Sequence, residues 1–179
     1  MKRTFLAVIG AVLITLTGFI AVNALSVNQS VENVNIRDAD DKPASIPDFG
    51  SKVLTIVYGD SDASDFSDSV SDALKAKKFP ESKNRGIGIA NLKDSPAPNW
   101  IIRKIVQSKI KKYNATILTD VDLSFAKAWG LGDCNNKSVF IVLGKDKKVK
   151  YIKYFSKNNL PSQNDIDTIV NLVDSLVKQ

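Results

Sequence analysis

The sequence contains no histidine and a single cysteine, Cys134. One cysteine cannot form a disulfide within the chain, and it cannot supply the two thiols that dithiol–disulfide exchange requires. Without histidine, a Cys–His nucleophile pair and the common Cys/His zinc sites are also excluded. Cys134 is therefore either a buried, inert side chain or a lone thiol that forms mixed disulfides or a sulfenic acid. Its only basic neighbour in the sequence is Lys137, which favours the inert interpretation.

No strong excess of either charge is present. The chain has 25 basic and 19 acidic residues, a formal charge of +6, and 44% hydrophobic residues, which is typical of one ordinary globular domain. Lys2 and Arg3 lie in a segment that we expect to be removed, and this lowers the charge by two. So mild a basic balance does not indicate a nucleic-acid partner, and nothing in the composition points to a cofactor.

The N-terminus has the pattern of an export signal. Basic "MKRT" precedes the uncharged "FLAVIGAVLITLTGFIAV", and "VNA" places small residues before Leu25. We predict a signal peptide over residues 1–24, cleaved after Ala24, and a periplasmic or secreted mature protein. The apolar stretch is long for a signal peptide, so an uncleaved membrane anchor is the alternative, and only in that case is membrane contact expected.

Hydrophobic spacing divides the rest of the chain in two. Residues 25–50 are polar and turn-rich and predict an N-terminal extension with a short hairpin, whereas residues 51–179 alternate strands and helices. The predicted strands are 34–37, 44–46, 53–58, 86–92, 115–118, 138–144 and 149–155, and the predicted helices are 65–77, 99–113, 122–131 and a C-terminal one. Ser162 and Asp165 form a capping box for the last helix. The pattern predicts an α/β fold: a mixed central sheet with helices on both faces.

This order of elements is that of an enlarged thioredoxin-like fold of the peroxiredoxin or TlpA type. The stretches "KVLTIVYGDSDASD", "ILTDVDLSFAKAWGL" and "NNKSVFIVLGKDKKVKYIKYF" resemble the YtfJ family of exported, thioredoxin-like bacterial proteins. The resemblance extends over residues 31–178 and rests on element order and the last stretch, so it implies the fold more strongly than an activity.

A thioredoxin places Cys-x-x-Cys where its first central strand enters the next helix, and a cis-proline before a later strand. Here "SDAS" puts Ser61 and Ser64 at the first position, and Ser138 stands where the proline is expected. The sequence therefore predicts a non-catalytic binding or adaptor protein with an unknown protein or small-molecule partner in the cell envelope. A single-thiol redox protein using Cys134 is the alternative. A transcriptional regulator, a label attached to similar proteins, is disfavoured by the export signal.

The acidic turn allows two interpretations. Asp60, Asp62 and Asp65 would cap the following helix and complement its dipole, or they would form a ligand loop for a cation. A calcium loop beginning at Asp60 requires glycine at its sixth position and an acid at its twelfth, and this chain has Asp65 and Ser71 there. No metal is therefore predicted.

The helix at 99–113 is basic and contains no acidic residue. Its spacing predicts a buried side formed by Ile102, Ile105, Val106 and Ile110. Its cationic residues predict either a docking face for an anionic partner or head groups, or an ordinary solvated face. These residues are Arg103, Lys104, Lys109, Lys111 and Lys112.

Overall fold

One mixed sheet of seven strands organises residues 24–179, the part of the chain that the computed structural model describes. The predicted signal peptide lies outside the described residues, apart from Ala24. The strands are β1 (Asn35–Arg37), β2 (Pro43–Ser45), β3 (Val53–Gly59), β4 (Asn84–Asn91), β5 (Thr116–Asp120), β6 (Ser138–Leu143) and β7 (Val149–Phe155). The helices are α1 (Asp68–Ala76), α2 (Asn99–Tyr113), α3 (Ser124–Trp129) and α4 (Gln163–Val177). Among these residues, no helix has the length and apolar character needed to cross a bilayer.

The strand order is β2-β1-β5-β4-β3-β6-β7. β3, β4 and β5 are parallel, as expected for strands joined by helical crossovers, and β6 and β7 continue the sheet as an antiparallel hairpin. The N-terminal hairpin β1–β2 is added to the other edge beside β5. Gly59 pairs with both Ala90 and Ser138, so the carboxyl ends of β3 and β4 and the start of β6 lie at the same end of the strands.

Side chains of β3 alternate between two apolar clusters. Leu54, Ile56 and Tyr58 pack in the cluster that contains Phe125 and Trp129 of α3 and the N-terminal segment. Val53 and Val57 pack on the opposite face with residues of α1 and α4. α2 covers the β4–β5 part of that second face through Ile102 and Val106. The predicted placement of helices on both faces is confirmed.

Two local predictions are wrong. The first helix begins at Asp68, three residues after the predicted start, because residues 61–67 form successive turns instead. Ile105, predicted to be buried, is 47% exposed. On the other side of the buried stripe, Arg103 and Gln107 reach the turn at residues 38–41, and this rotation of α2 leaves Ile105 in solvent.

The predicted capping box of α4 is confirmed. The Asp165 backbone N–H donates to the Ser162 hydroxyl at 3.2 Å, and the Ser162 N–H donates to the Asp165 carboxylate at 3.0 Å. Lys153 of β7 forms an ion pair with the same carboxylate. The hydrogen bond from Lys153, followed by those from Ser162, lowers the pKa of Asp165 from 3.8 to about 2.

We therefore expect Asp165→Asn to lower the free energy of unfolding by about 1 kcal/mol at neutral pH, the usual size of a lost cap. Because the folded-state pKa is depressed, this stabilisation is present above about pH 4 and is lost as the pH falls towards 2. Urea unfolding of both proteins across this range measures it. A difference that does not change with pH would show that the charge of Asp165 is not involved.

Candidate functional site

Three loops meet at the end of the sheet where strands β3 and β4 end and β6 begins. They comprise residues 60–67, 91–98 and 131–137, and we call them the three-loop surface. The Ser61 N–H donates to the Ser95 hydroxyl at 3.1 Å, which joins the first two loops. The Asn136 N–H donates to the Asp60 carboxylate at 2.7 Å, which joins the first and third loops. The predicted Cys-x-x-Cys position, Ser61–Ser64, lies on this surface.

Asp60 is the residue on which this arrangement centres. It is only 2% exposed and directly follows β3. One carboxylate oxygen accepts the N–H groups of Asp62 and Ala63, each at 3.0 Å, and the other accepts the N–H of Asn136. A buried carboxylate with three backbone donors is satisfied without a cation, so Asp60 acts as a structural clamp between loops.

The other acidic residues of this turn do not cap α1 as predicted. Asp62 and Asp65 are exposed, and the residue at the N-cap of α1, Ser67, makes no side-chain capping bond. The capping prediction is wrong because Asp60 holds a separate turn ahead of the helix. Within residues 24–179, no three Cys, Asp or Glu side chains are grouped in a way that could hold a metal ion.

The serines at the redox position are arranged differently from the prediction. Ser61 and Ser64 lie in the turns before α1, where the Ser64 hydroxyl donates to the Ser61 carbonyl at 3.2 Å. Ser67, one turn later, stands at the start of the helix, and its hydroxyl lies 2.6 Å from that of Ser138. Both members of this Ser67–Ser138 pair are buried. Ser67 is not among the predicted site residues, because the predicted helix started too early. The buried positions Ala63, Ser67 and Val70 mark the actual inner side.

Cys134 belongs to the third loop, but its side chain lies in the core. The residue is 2% exposed and packs in the same cluster as Tyr58, and its thiol lies 3.8 Å from the Leu131 carbonyl. Burial, the largest influence, raises the pKa of the Cys134 thiol to about 12 despite the opposing effect of Lys137. Ser64, by contrast, is exposed. The two side chains therefore do not form one accessible reactive site.

A second buried polar cluster lies between the ends of β3 and β5 and the first turn of α3, and it was not predicted from the sequence. Asp120, at the end of β5, accepts the Tyr58 hydroxyl, the Ser124 hydroxyl and the Ala126 N–H, each at 3.2 Å. Burial, followed by the negative charge of Asp120, raises the pKa of Tyr58 far above its usual value. Tyr58 is therefore a neutral donor, and the cluster attaches the first turn of α3 to β3 and β5. Tyr58 and Asp120 are 62 positions apart, so no local sequence pattern indicates this contact.

The basic residues of α2 do not form a single face. Arg103 points inward: its guanidinium donates to the Asp38 carbonyl at 2.9 Å and to the Thr119 hydroxyl at 3.1 Å, and it pairs with the Asp41 carboxylate. Its predicted place in a docking face is wrong, because it attaches the N-terminal hairpin to α2. The four lysines of the prediction are exposed. They are Lys104, Lys109, Lys111 and Lys112.

A family model described as "Bacterial protein of unknown function (YtfJ_HI0045)" matches residues 25–176. No curated protein matches the sequence.

Several solved structures share the fold at low sequence identity. A peroxiredoxin-like protein from Aquifex aeolicus is 14% identical, with 86% of this chain and 89% of that chain covered and a TM-score of 0.61. BsSco, a member of the Sco family of cytochrome c oxidase assembly proteins, is 17% identical, with 84% and 95% covered and a TM-score of 0.57. The pneumococcal exposed lipoprotein thioredoxin from Streptococcus pneumoniae is 14% identical, with 81% and 100% covered and a TM-score of 0.57. They show the predicted thioredoxin-like fold.

The clamp formed by Asp60 can be tested by substitution. Asp60→Asn removes one of the two acceptor oxygens and places an NH₂ donor against a backbone N–H. We expect a loss of about 1–3 kcal/mol in the free energy of unfolding, as for an unsatisfied buried polar group. Asp62→Asn, an exposed control in the same turn, should change it by less than about 0.5 kcal/mol. Urea denaturation of the three proteins gives the comparison.

Equal effects of the two substitutions would contradict the structural role of Asp60. A melting temperature of the wild-type protein that rises with millimolar calcium, and no longer does so in Asp62→Asn, would instead identify the acidic turn as a cation site.

Proposed function

We propose that this chain, which belongs to the YtfJ family of bacterial proteins, is an exported adaptor that uses a thioredoxin-like fold to bind a partner rather than to exchange disulfides. The three-loop surface is the binding surface in this proposal. The partner is a protein or small molecule of the cell envelope. A thioredoxin-like fold is compatible with many functions, so the residues of the site decide between them.

The Ser67–Ser138 contact is the observation that carries the proposal. Ser67 occupies the start of the helix after the first central strand, and Ser138 faces it from the start of β6. Their hydroxyls, 2.6 Å apart and buried, satisfy each other. By analogy with a thioredoxin, which places a reactive thiol at a helix start and a cis-proline before a later strand, we assign the redox position to this pair. A serine hydroxyl does not cycle between dithiol and disulfide, and no histidine is available to activate it as a nucleophile.

The alternative, a redox protein that works through Cys134 alone, receives less support from the geometry. Reactive cysteines are partly exposed and have a lowered pKa, because the thiolate is the reacting form. Cys134 is buried, and its pKa is raised to about 12. The nearby Asp133 adds a negative charge that further opposes ionisation. The alternative requires an opening of the third loop before any reaction.

The exposed parts of the three-loop surface suit recognition of a partner. Asp62, Ser64, Asp65, Asp133 and Asn135 present side-chain donors and acceptors around the buried clamp. Because the clamp fixes the loops from below, their outward groups hold a preorganised arrangement, which reduces the entropy lost on binding. The fold is shared with a protein from an assembly family and with an exposed lipoprotein, and this is consistent with an envelope role.

Site-directed photo-crosslinking tests the binding surface. A photo-crosslinking amino acid is placed at Ser64 or Asn135 in the protein expressed in its native host. The control position is Lys145, which is exposed in the β6–β7 turn at the opposite end of the strands. We expect one reproducible adduct from the first two positions and none from Lys145. An equal adduct from Lys145 would contradict the proposal, and no adduct from the three-loop surface would exclude the protein partner and leave only a small molecule.

The purified protein should show neither insulin reduction nor peroxidase activity above background, and Cys134→Ser should change nothing. At pH 8, native Cys134 should react with iodoacetamide far more slowly than in the urea-unfolded chain, because its side chain is buried and burial raises the pKa of its thiol. Mass spectrometry of the alkylated protein measures the rate. Turnover that disappears in Cys134→Ser would favour the single-thiol enzyme.

The mature protein should begin at or near Leu25. This residue is buried in the core, and its backbone nitrogen donates to the Gly130 carbonyl at 3.1 Å. Cleavage after Ala24 therefore retains every core residue of the described part of the chain, whereas cleavage one residue later removes Leu25. N-terminal sequencing of the protein from the envelope fraction gives the answer. An intact Met1 in the membrane fraction would establish the anchored alternative.

A further inference from the structure

The outward side of α2 carries a set of exposed cationic and apolar side chains that the proposed binding surface does not include. Within each of two rows along the helix, spacings of three, four and seven residues align the side chains, and the two rows together span about half of the helix circumference. We call this set the outer α2 face. It consists of Trp100, Lys104 and Lys111 in one row and Ile105, Lys109 and Lys112 in the other, all exposed.

The apolar members of this face are unusually open to solvent. Trp100 is 61% exposed and Ile105 is 47% exposed. The ammonium group of Lys104 lies 5.0 Å from the centre of the Trp100 ring, so cation and aromatic surface are presented together. Tryptophan beside lysine is the combination that favours the boundary between lipid head groups and acyl chains.

Ion pairs do not neutralise the charge of this face, although Lys109 lies near Asp68 of α1 and opposes the rise that burial causes in the pKa of that carboxyl. α2 contains no acidic residue, and in the described part of the chain none of its four exposed lysines forms an ion pair. Other lysines differ: Lys137, Lys150 and Lys178 each pair with an aspartate four residues earlier. The outer α2 face is therefore a concentrated positive patch on a chain that is only mildly basic.

This face is also separate from the packing of the helix. Ile102 and Val106 bury the inner side against the sheet, and Arg103 and Gln107 bind the turn at residues 38–41. The lysines and Trp100 are consequently not required to hold α2 in place. Their substitution can change binding without unfolding the protein.

We infer that the outer α2 face binds the surface of a bilayer rich in anionic phospholipid, with the lysines at the head-group phosphates and Trp100 and Ile105 in the interfacial layer. A soluble polyanion would satisfy the lysines but would leave Ile105 in water, whereas a bilayer accommodates both kinds of side chain. This binding places α2 on the membrane without crossing it. It does not depend on the proposed adaptor role, since it uses different residues.

Tryptophan fluorescence provides a readout specific to this face. The chain has two tryptophans, and Trp129 is 1% exposed, so a change in emission on binding reports Trp100. The mature protein isolated from cells is titrated with vesicles of phosphatidylcholine alone or of phosphatidylcholine mixed with phosphatidylglycerol. We expect a blue shift and co-sedimentation with the anionic vesicles only. Both should be strongly weakened by 1 M salt, which shortens the screening length from about 10 Å at 0.1 M to about 3 Å.

Matched charge reversals complete the test. Lys104→Glu/Lys111→Glu/Lys112→Glu should weaken vesicle binding at least about a hundredfold, given the contribution of each lysine near an anionic surface. Lys145→Glu/Lys148→Glu/Lys157→Glu makes the same change in net charge at exposed positions elsewhere and should bind nearly as well as wild type. Trp100→Phe should retain binding and lose the blue shift. Circular dichroism and the melting temperature check that each variant is folded.

Four outcomes would overturn the inference. They are equal binding to neutral and anionic vesicles, equal loss in the two triple variants, complete absence of binding, and no vesicle binding together with a Trp100 shift on adding a soluble polyanion such as heparin. The last result would assign the face to a dissolved anionic polymer. Complete absence of binding to any of these probes would show that the face is only solvated.

Discussion

The buried carboxylate of Asp60 is the contact on which the arrangement of the candidate site depends. A carboxylate that is withdrawn from water loses several kcal/mol of solvation unless donors replace it. Here the three donors are backbone N–H groups, two from the turn after β3 and one from the loop before β6. Side chains can rotate away from an anion, but backbone groups move only with their loops. One side chain therefore fixes the position of two of the three loops relative to the sheet.

This contact between distant residues explains why the start of α1 was not predictable, although the fold was. Strand and helix identities come from apolar spacing within each segment, and α2 matches its predicted span for that reason. The turns at residues 61–67 depend instead on Asp60 and Asn136, which are 76 positions apart. A local pattern of Asp and Ser favours a helix cap. The distant contact favours a separate turn, and it delays the helix to Asp68.

The basic helix shows a similar limit at the level of single residues. In the sequence, Arg103 and Lys104 are adjacent cations, and spacing alone gives no reason to separate their roles. In the fold, Arg103 reaches Asp38 and Thr119, because the N-terminal hairpin extends the sheet beside β5. A planar guanidinium with several donors suits such a position better than an ammonium group. The lysines, whose directions differ from that of Arg103 around the helix, remain available to solvent.

The two surfaces also have a defined relation through the chain. The loop at residues 91–98 belongs to the three-loop surface and leads directly into α2, so Trp100 lies at the end of the helix nearest that surface. If α2 lies along a bilayer, the helix fixes the distance between the three-loop surface and the head groups. The β6–β7 turn lies at the opposite end of the strands. Only one turn of helix separates Trp100 from Lys104, so little freedom remains for the loop to move independently of the membrane contact. A binding surface held in this way would meet partners that are themselves at the membrane, and this reduces the search from three dimensions to two. The lone thiol takes no part in such a role, which fits its position in the core beneath the loops.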